Sequence, residues 1–276
     1  MLKKIDHGPI REIQLDHPPV NALRAPLINA LRHAVDDARN EGVEALILSG
    51  APGYFSVGLD IAYQMKQDQQ AANLVFHEIF AIMRSIGTSR LPVAAAMEGH
   101  AVGGGAMIAI LCDYRVMAEG KYKVGLPEVH VGLPIPPVVY HLVSRLVGPR
   151  LAERLCVEGN LVEPDEAEHI GLVDKVVPTE QVRETALSWC QRMVALPTRA
   201  MRLTRAASRT EVAKLLATFD WEELDELAAG WSSQETQKAL RAALENIGKE
   251  SAGEDTYDYK SANIQRAQHT QNRVQV

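Results

Sequence analysis

Apolar residues along this chain fall into two periods. Leu27, Ile28, Leu31, Ala34, Val35 and Ala38 recur at three- and four-residue spacing, which predicts a helix over 25–40, ended by Gly42. A second helical stripe runs over 71–86, with Leu74, Phe76, Ile79, Ile82, Met83 and Ile86. Before, between and after such stripes, 10–15 reads as a short strand, the apolar runs 43–48 and 92–97 read as buried strands, and 113–118 reads as a further strand. Residues 50–53, Gly-Ala-Pro-Gly, read as a turn. Strand and helix thus alternate through the first half, which argues for an α/β core with parallel pairing. The second half changes character. Helices are expected over 136–147, 150–157 and 164–169, a strand over 172–177, and nearly continuous helix from 179 to 249. From residue 250 on, the chain carries too few apolar side chains to build a core. That tail is expected to be disordered or to serve as an arm in an oligomer.

Composition narrows the class. A chain of 276 residues, 46% hydrophobic and 23% charged, suits one large globular domain with an appendage. The net charge of −6 argues against a nucleic-acid partner, which would call for a basic face. Three scattered cysteines, Cys112, Cys156 and Cys190, form no CxxC pair, and the nine histidines show no HExxH spacing. No metal site is expected, and reduced thiols in the cytoplasm are the simplest reading. The first sixteen residues lack an apolar signal core. The longest near-apolar stretch, 101–112, falls far short of the ~20 residues of a membrane span.

Three segments carry candidate chemistry. Phe55-Ser56-Val57-Gly58-Leu59-Asp60-Ile61 follows a predicted strand, where α/β proteins often place function. Gly58 permits a tight turn that would aim the Leu59 N–H outward. The competing reading is a plain strand-to-helix connection capped by Asp60. In the second segment, Gly103, Gly104 and Gly105 sit between Val102 and Met107. A flexible linker is not built of such neighbours. Glycines ahead of a buried helix let a ligand approach the backbone and leave helix N-terminal N–H groups free, which suits a developing oxyanion. Ile108 stands where a dinucleotide fingerprint would need its third small residue. The third segment runs from Gly125 through Pro127 and Glu128 to Pro134. Glu128 is its one carboxylate: either a solvent-facing loop residue, or, if buried, a group of raised pKa suited to acid–base work. His130 reads as structural.

In this order the segments resemble the crotonase (enoyl-CoA hydratase/isomerase) superfamily, from Pro18-Pro19-Val20-Asn21-Ala22-Leu23 through FSVGLDI, GHAVGGGAMIAILCDYRV, GLPEVHVGLP and GLVDKVV. The likeness covers about residues 5–250. It implies a ββα spiral over 1–195, a C-terminal helical trimerisation region over 196–249 and a polar tail over 250–276. A homotrimer or dimer of trimers would follow. It also implies an oxyanion hole from the Leu59 and Gly104 N–H groups, with Glu128 as the catalytic carboxylate. The expected coenzyme A and substrate contacts are Ala22, Arg24, Val57, Gly58, Asp60, Ile61, Gly103, Met107 and Pro127, with Arg24 meeting phosphate. Coenzyme A would enter as part of the substrate, with no permanently bound cofactor. Hydratases of the family carry two catalytic glutamates; the first position here holds Met107, which is neither acid nor base. That departure, with the SSQETQKAL region, resembles the Δ3,Δ2-enoyl-CoA isomerase branch of mitochondrial type. It implies a shift of a double bond from C3 to C2 in fatty-acid β-oxidation. Hydration, thioester hydrolysis, decarboxylation and non-catalytic acyl-CoA binding remain the alternatives at this point.

Overall fold

The structure, a computed structural model, describes residues 1–219 and 221–250. In chain order it contains β1 Leu2–His7, β2 Ile10–Leu15, α1 Ala25–Ala38, β3 Ala45–Ser49, β4 Gly53–Ser56, α2 Ile61–Gln64, α3 Gln69–Thr88, β5 Val93–Met97, β6 Gly99–Val102, α4 Gly104–Ile110, β7 Tyr114–Ala118 and β8 Val124–Gly125. A 3-10 turn, Glu128–Val131, follows. Then come α5 Pro137–Val147, α6 Pro149–Glu158, β9 Leu161–Val162, α7 Pro164–His169, β10 Lys175–Val177, α8 Val182–Val194, α9 Thr198–Ser208, α10 Thr210–Ala217, α11 Trp221–Trp231 and α12 Gln234–Glu250.

The strands form two sheets. One has six strands in the order β1-β2-β3-β5-β7-β10, parallel except for the β1–β2 hairpin. The other has the order β4-β6-β8-β9, parallel except for β9. Successive pairs β3/β4, β5/β6 and β7/β8 each place one strand in each sheet, and a helical segment follows each pair. Three ββα turns thus stack into the spiral that the likeness implied.

The six-stranded sheet is covered on both faces, which explains the near-unbroken apolar runs of β3 and β5. Leu46, Leu48, Ala95 and Met97 face the main core with α1, α3 and α4. Alternate residues Ala45, Ile47, Ala94 and Ala96 face Val182, Ala186 and Cys190 of α8. Each fully buried Leu or Ile in these layers stabilises the fold by roughly 1.5–3 kcal/mol. Outside the layers, Asp113 anchors α9 and α10. Its carboxylate accepts from the Val93 N–H at 2.8 Å, from Arg205 Nε at 2.9 Å and from Arg209 Nη1 at 2.7 Å.

Several sequence expectations shift. Gly53 is not the end of a turn but the first residue of β4. The strand expected over 172–177 begins only at Lys175, because the Leu172 and Val173 N–H groups cap α7 through the Ala167 carbonyl. The helical run from 179 is broken into five helices. Strands β1, β4, β6, β8 and β9 had no counterpart in the pattern. The polar tail from 251 lies outside the described residues. Among the described residues no helix is long and apolar enough to cross a membrane.

Candidate active site

All three chemistry-bearing segments leave the same sheet from the same edge. Strands β4, β6 and β8 run parallel side by side. Beyond their C-terminal ends come Val57-Gly58-Leu59, Gly103-Gly104 and Leu126-Pro127-Glu128 respectively. Carboxyl ends of parallel strands are where α/β folds gather ligand-binding groups. Segments 46 and 23 residues apart in sequence, counted between their first residues, thereby become neighbours in space.

The backbone around Gly58 exposes one N–H. Leu23 N–H donates to the Gly58 carbonyl at 2.7 Å, and Asp60 N–H donates to the Leu23 carbonyl at 3.0 Å. This parallel bridge uses the residues on either side of Leu59 and leaves the Leu59 N–H without an acceptor among the described residues. Gly58 takes φ +80°, which favours glycine. A Cβ there would also lie 2.6 Å from the Val102 carbonyl oxygen and 3.0 Å from the Gly104 nitrogen. Backbone therefore packs on backbone, and the Leu59 and Gly104 amides share one locality. Gly103, at φ +55°, turns the chain into α4, with its own N–H on the Gly125 carbonyl at 2.9 Å. Gly104 opens that helix, so its N–H has no intrahelical partner.

Two residues absent from the sequence expectations brace this turn. Ser56 Oγ donates to the Asn21 carbonyl at 2.8 Å and accepts from the Gly58 N–H at 3.1 Å. Buried Asn21, at φ 52°, donates through Nδ2 to the Tyr54 and Phe55 carbonyls. The signal was present: a buried asparagine after Pro-Pro, four residues ahead of the first helix, is a residue type that tolerates positive φ.

Glu128 opens the 3-10 turn. Its Oε2 is shut off from solvent and has no hydrogen-bond partner among the described residues. A Cβ on Gly103 would lie 3.1 Å from Oε1, so the carboxyl rests against the glycine that precedes the Gly104 amide. Burial pushes this carboxyl up to about 7, against an ordinary value of 4.5. His130 Nε2 meets the Glu158 carbonyl at 2.7 Å, as suits a structural residue.

Val57, Leu59, Ile61, Gly103, Gly104, Met107, Pro127 and Glu128 line one cleft, enclosing about 960 Å³ with its open mouth included. Ala22, Arg24, Gly58 and Asp60 do not line it. They form the bridge segment at its edge. There Arg24 Nε donates to Asp60 Oδ2 at 2.7 Å, and its guanidinium lies 4.2 Å from the centre of the Tyr63 ring. Asp60 also caps α2 by accepting from the Tyr63 N–H at 2.9 Å, so the capping reading and a place beside the cleft hold together. The rest of the wall is apolar: Phe76, Ile79 and Phe80 from α3, and Trp231, Leu240 and Ala243 from the last two helices. Met107 is buried in the same wall. Among the described residues no group of three or more His, Cys, Asp or Glu is placed to hold a metal ion.

Two parallel-sheet layers, a ββα spiral and a paired-amide cleft define a class. The sequence pattern of the enoyl-CoA hydratase/isomerase family matches residues 6–250, and the chain belongs to that crotonase family of enzymes. Among its relatives, human mitochondrial enoyl-CoA delta isomerase 1 is 31% identical over 243 residues, covering 86% of this chain and 80% of that protein. Crotonyl-CoA hydratase of Syntrophomonas wolfei is 30% identical over 232 residues, covering 82% and 87%. The crystal structure of human mitochondrial delta3-delta2-enoyl-CoA isomerase superposes with a TM-score of 0.85 at 30% identity, covering 90% of this chain and 98% of that one.

Proposed function

We propose that this enzyme is a Δ3,Δ2-enoyl-CoA isomerase of fatty-acid β-oxidation, with Glu128 as its one proton carrier. The observation that carries the reading is a single buried carboxyl, at about 7, beside two unengaged backbone N–H groups, with Met107 completing an apolar wall. The thioester oxygen would accept from the Leu59 and Gly104 amides. Ionised Glu128 removes a proton from C2 of a 3-enoyl-CoA. The electron pair moves onto the thioester oxygen and gives a dienolate, which the two N–H groups stabilise. Neutral Glu128 then returns the proton to C4, leaving the conjugated 2-enoyl-CoA. Atoms balance without water or an added cofactor. A carboxyl titrating near the working pH serves both steps, because it is a competent base and a competent acid. Each oxyanion donor typically contributes about 10²–10³ in rate.

Hydration would require a bound water held by two carboxylates. Met107 in the wall supports its absence from the main reaction. Coenzyme A, as part of the substrate, would lie over Ala22, Val57, Asp60 and Ile61. Arg24 keeps 38% of its side chain exposed beside Asp60, which leaves it able to meet a phosphate. Assembly as a homotrimer, or a dimer of trimers, through the helical region 196–249 is part of the proposal. A reducing, cytoplasmic setting is supported by three buried, unpaired thiols.

The test mixes the purified enzyme with a 3-enoyl-CoA and follows absorbance of the conjugated thioester, with a 2-enoyl-CoA in parallel. Rapid conjugation with little hydration is expected, and Glu128→Gln should slow it by about 10²–10⁴ while acyl-CoA binding persists. Comparable hydration, or binding without any turnover, would overturn the assignment.

A further inference from the structure

One part of the cleft lining is chemically distinct. The reacting groups of the cleft, Leu59, Gly104 and Glu128, lie where strands end. At its edge sit the polar Arg24 and Asp60. Among the described residues the remaining side chains of the wall are hydrocarbon and aromatic, and those contributed by α11 and α12, Trp231, Leu240 and Ala243, stand more than a hundred residues beyond Glu128. A thioester pinned by its oxygen between the two amides sends its acyl chain toward apolar surface. That surface is the side bearing Phe76, Trp231 and Leu240.

Trp231 holds a particular place there. It is almost fully buried, and its ring meets the Phe76 ring edge-on at 6.2 Å between centroids. The turn that carries it is tied down on two sides. Gln69, at the start of α3, donates to the Ala228 carbonyl at 2.7 Å and accepts from Ser232 Oγ. Thr236 Oγ1 donates to the Gly132 carbonyl at 2.9 Å, and Gly132 closes the 3-10 turn that begins with Glu128. A Cβ on Gly132 would lie 3.0 Å from Thr236. Gln237 Nε2 further donates to the carbonyl of Trp231 itself at 2.9 Å. The indole is therefore held at a fixed distance from the proton-carrying carboxyl, as a wall rather than a loose lid.

We infer that Trp231 is the specificity-determining residue for acyl length: its indole closes the hydrocarbon end of the cleft and sets the longest straight chain the site accepts. The substrate class is thus linear acyl-CoA of bounded length. The inference rests on the isomerase reading for its kinetic form. Its binding form depends only on acyl-CoA entering this cleft.

The experiment measures kcat/KM for straight-chain 3-enoyl-CoA substrates from hexenoyl to tetradecenoyl, and dissociation constants for the matching saturated acyl-CoA series. Wild type is compared with Trp231→Ala and with Ala243→Phe, which adds bulk to the same wall. In Trp231→Ala the ratio of kcat/KM for dodecenoyl over hexenoyl should rise by about tenfold or more, since one methylene in an apolar pocket is commonly worth that factor. In Ala243→Phe the ratio should fall. Length profiles that match wild type within twofold in both variants would overturn the inference. If wild type converts no 3-enoyl-CoA, the isomerase reading fails by itself. The dissociation constants then decide: a shift of the preferred length in Trp231→Ala supports the inference, and an unchanged profile overturns it. Should Trp231→Ala fail to fold, Trp231→Phe, which keeps a ring but removes part of the indole, gives the same decision with a smaller rise, and an unchanged length profile there overturns the inference.

Discussion

Replacing Glu128 by Gln should weaken catalysis and strengthen the fold, and the second effect should depend on pH in a set direction. Burial carries this carboxyl from 4.5 to about 7. Between those values the folded chain keeps a proton that the unfolded chain has lost. Stability therefore falls as pH rises through that window. Below pH 4.5 both states are protonated and no penalty exists. Above about 7 the penalty is complete. At ~1.36 kcal/mol per pH unit it reaches about 3 kcal/mol, an upper figure because the cleft opens to water. Glutamine has nearly the same shape and no charge, so it escapes the penalty. For a chain of this size one kcal/mol moves Tm by roughly 2–4 °C. The Tm of Glu128→Gln should thus exceed wild type by up to ~10 °C at pH 8.5, with the gap closing toward pH 4.5. Thermal unfolding followed by circular dichroism at several pH values measures it. Any fixed offset from the new amide cancels in the comparison across pH. A gap that stays constant from pH 4.5 to 8.5 would mean that this carboxyl is not strained by burial. The argument for its role as a tuned base would fall with it. In the same variant kcat should drop by about 10²–10⁴, and wild-type kcat/KM should rise through pH 7 as the base ionises.

Three further outcomes follow from the geometry. Met107→Glu places a second carboxylate in the cleft wall; mass spectrometry should detect hydrated product from a 2-enoyl-CoA at a rate at least about tenfold above wild type, at about 1–3 kcal/mol of stability for the buried polar group. Gly58→Ala puts a Cβ 2.6 Å from the Val102 carbonyl at a positive φ; displacing the Leu59 N–H should lower kcat by about 10²–10³, with roughly 1–3 kcal/mol of backbone strain visible in the Tm. Asp113→Ala leaves Arg205 and Arg209 without their shared carboxylate; a loss of about 3–5 kcal/mol, read by denaturant unfolding, is expected for removing one partner of a largely buried pair.

Legibility in the sequence tracked the physics of each element. Strands β3 and β5 announced themselves because both sheet faces are covered, which forces near-unbroken apolar runs, while β2 and β7 carry the buried charges Glu12 and Arg115 and were read from shorter apolar stretches. The second sheet did not announce itself, since β4, β6, β8 and β9 are two to four residues long and begin or end on glycine in three cases. Too few positions exist to show a period. The same brevity hid the ββα repeat, which is a repeat of topology and not of residues. Within the site, Gly58 and Gly103 were readable because positive φ selects glycine at the sequence level. The burial of Glu128 was not readable, because it depends on Gly103 and on helices far along the chain. Arg24 shows the limit from the other side. Its charge suggested a phosphate contact, and only the fold reveals that Asp60 and Tyr63 already hold the guanidinium in place.

Two of the three reactive elements are backbone amides. No side-chain substitution deletes them, provided Gly58 and Gly103 keep their conformations. The proposed hole for the thioester oxygen would thus be written in the sheet register and in two glycines. The proton-handling groups are written in single side chains around it. On the proposed reading, changing one such residue, Met107 among them, would alter which bond is made while the anion-stabilising part stays whole. That separation accounts for a chain about equally similar to a delta isomerase and to a crotonyl-CoA hydratase, at 31% and 30% identity. Overall identity does not resolve that difference. The carboxylates lining the cleft must be read position by position, and among the described residues there is one, Glu128.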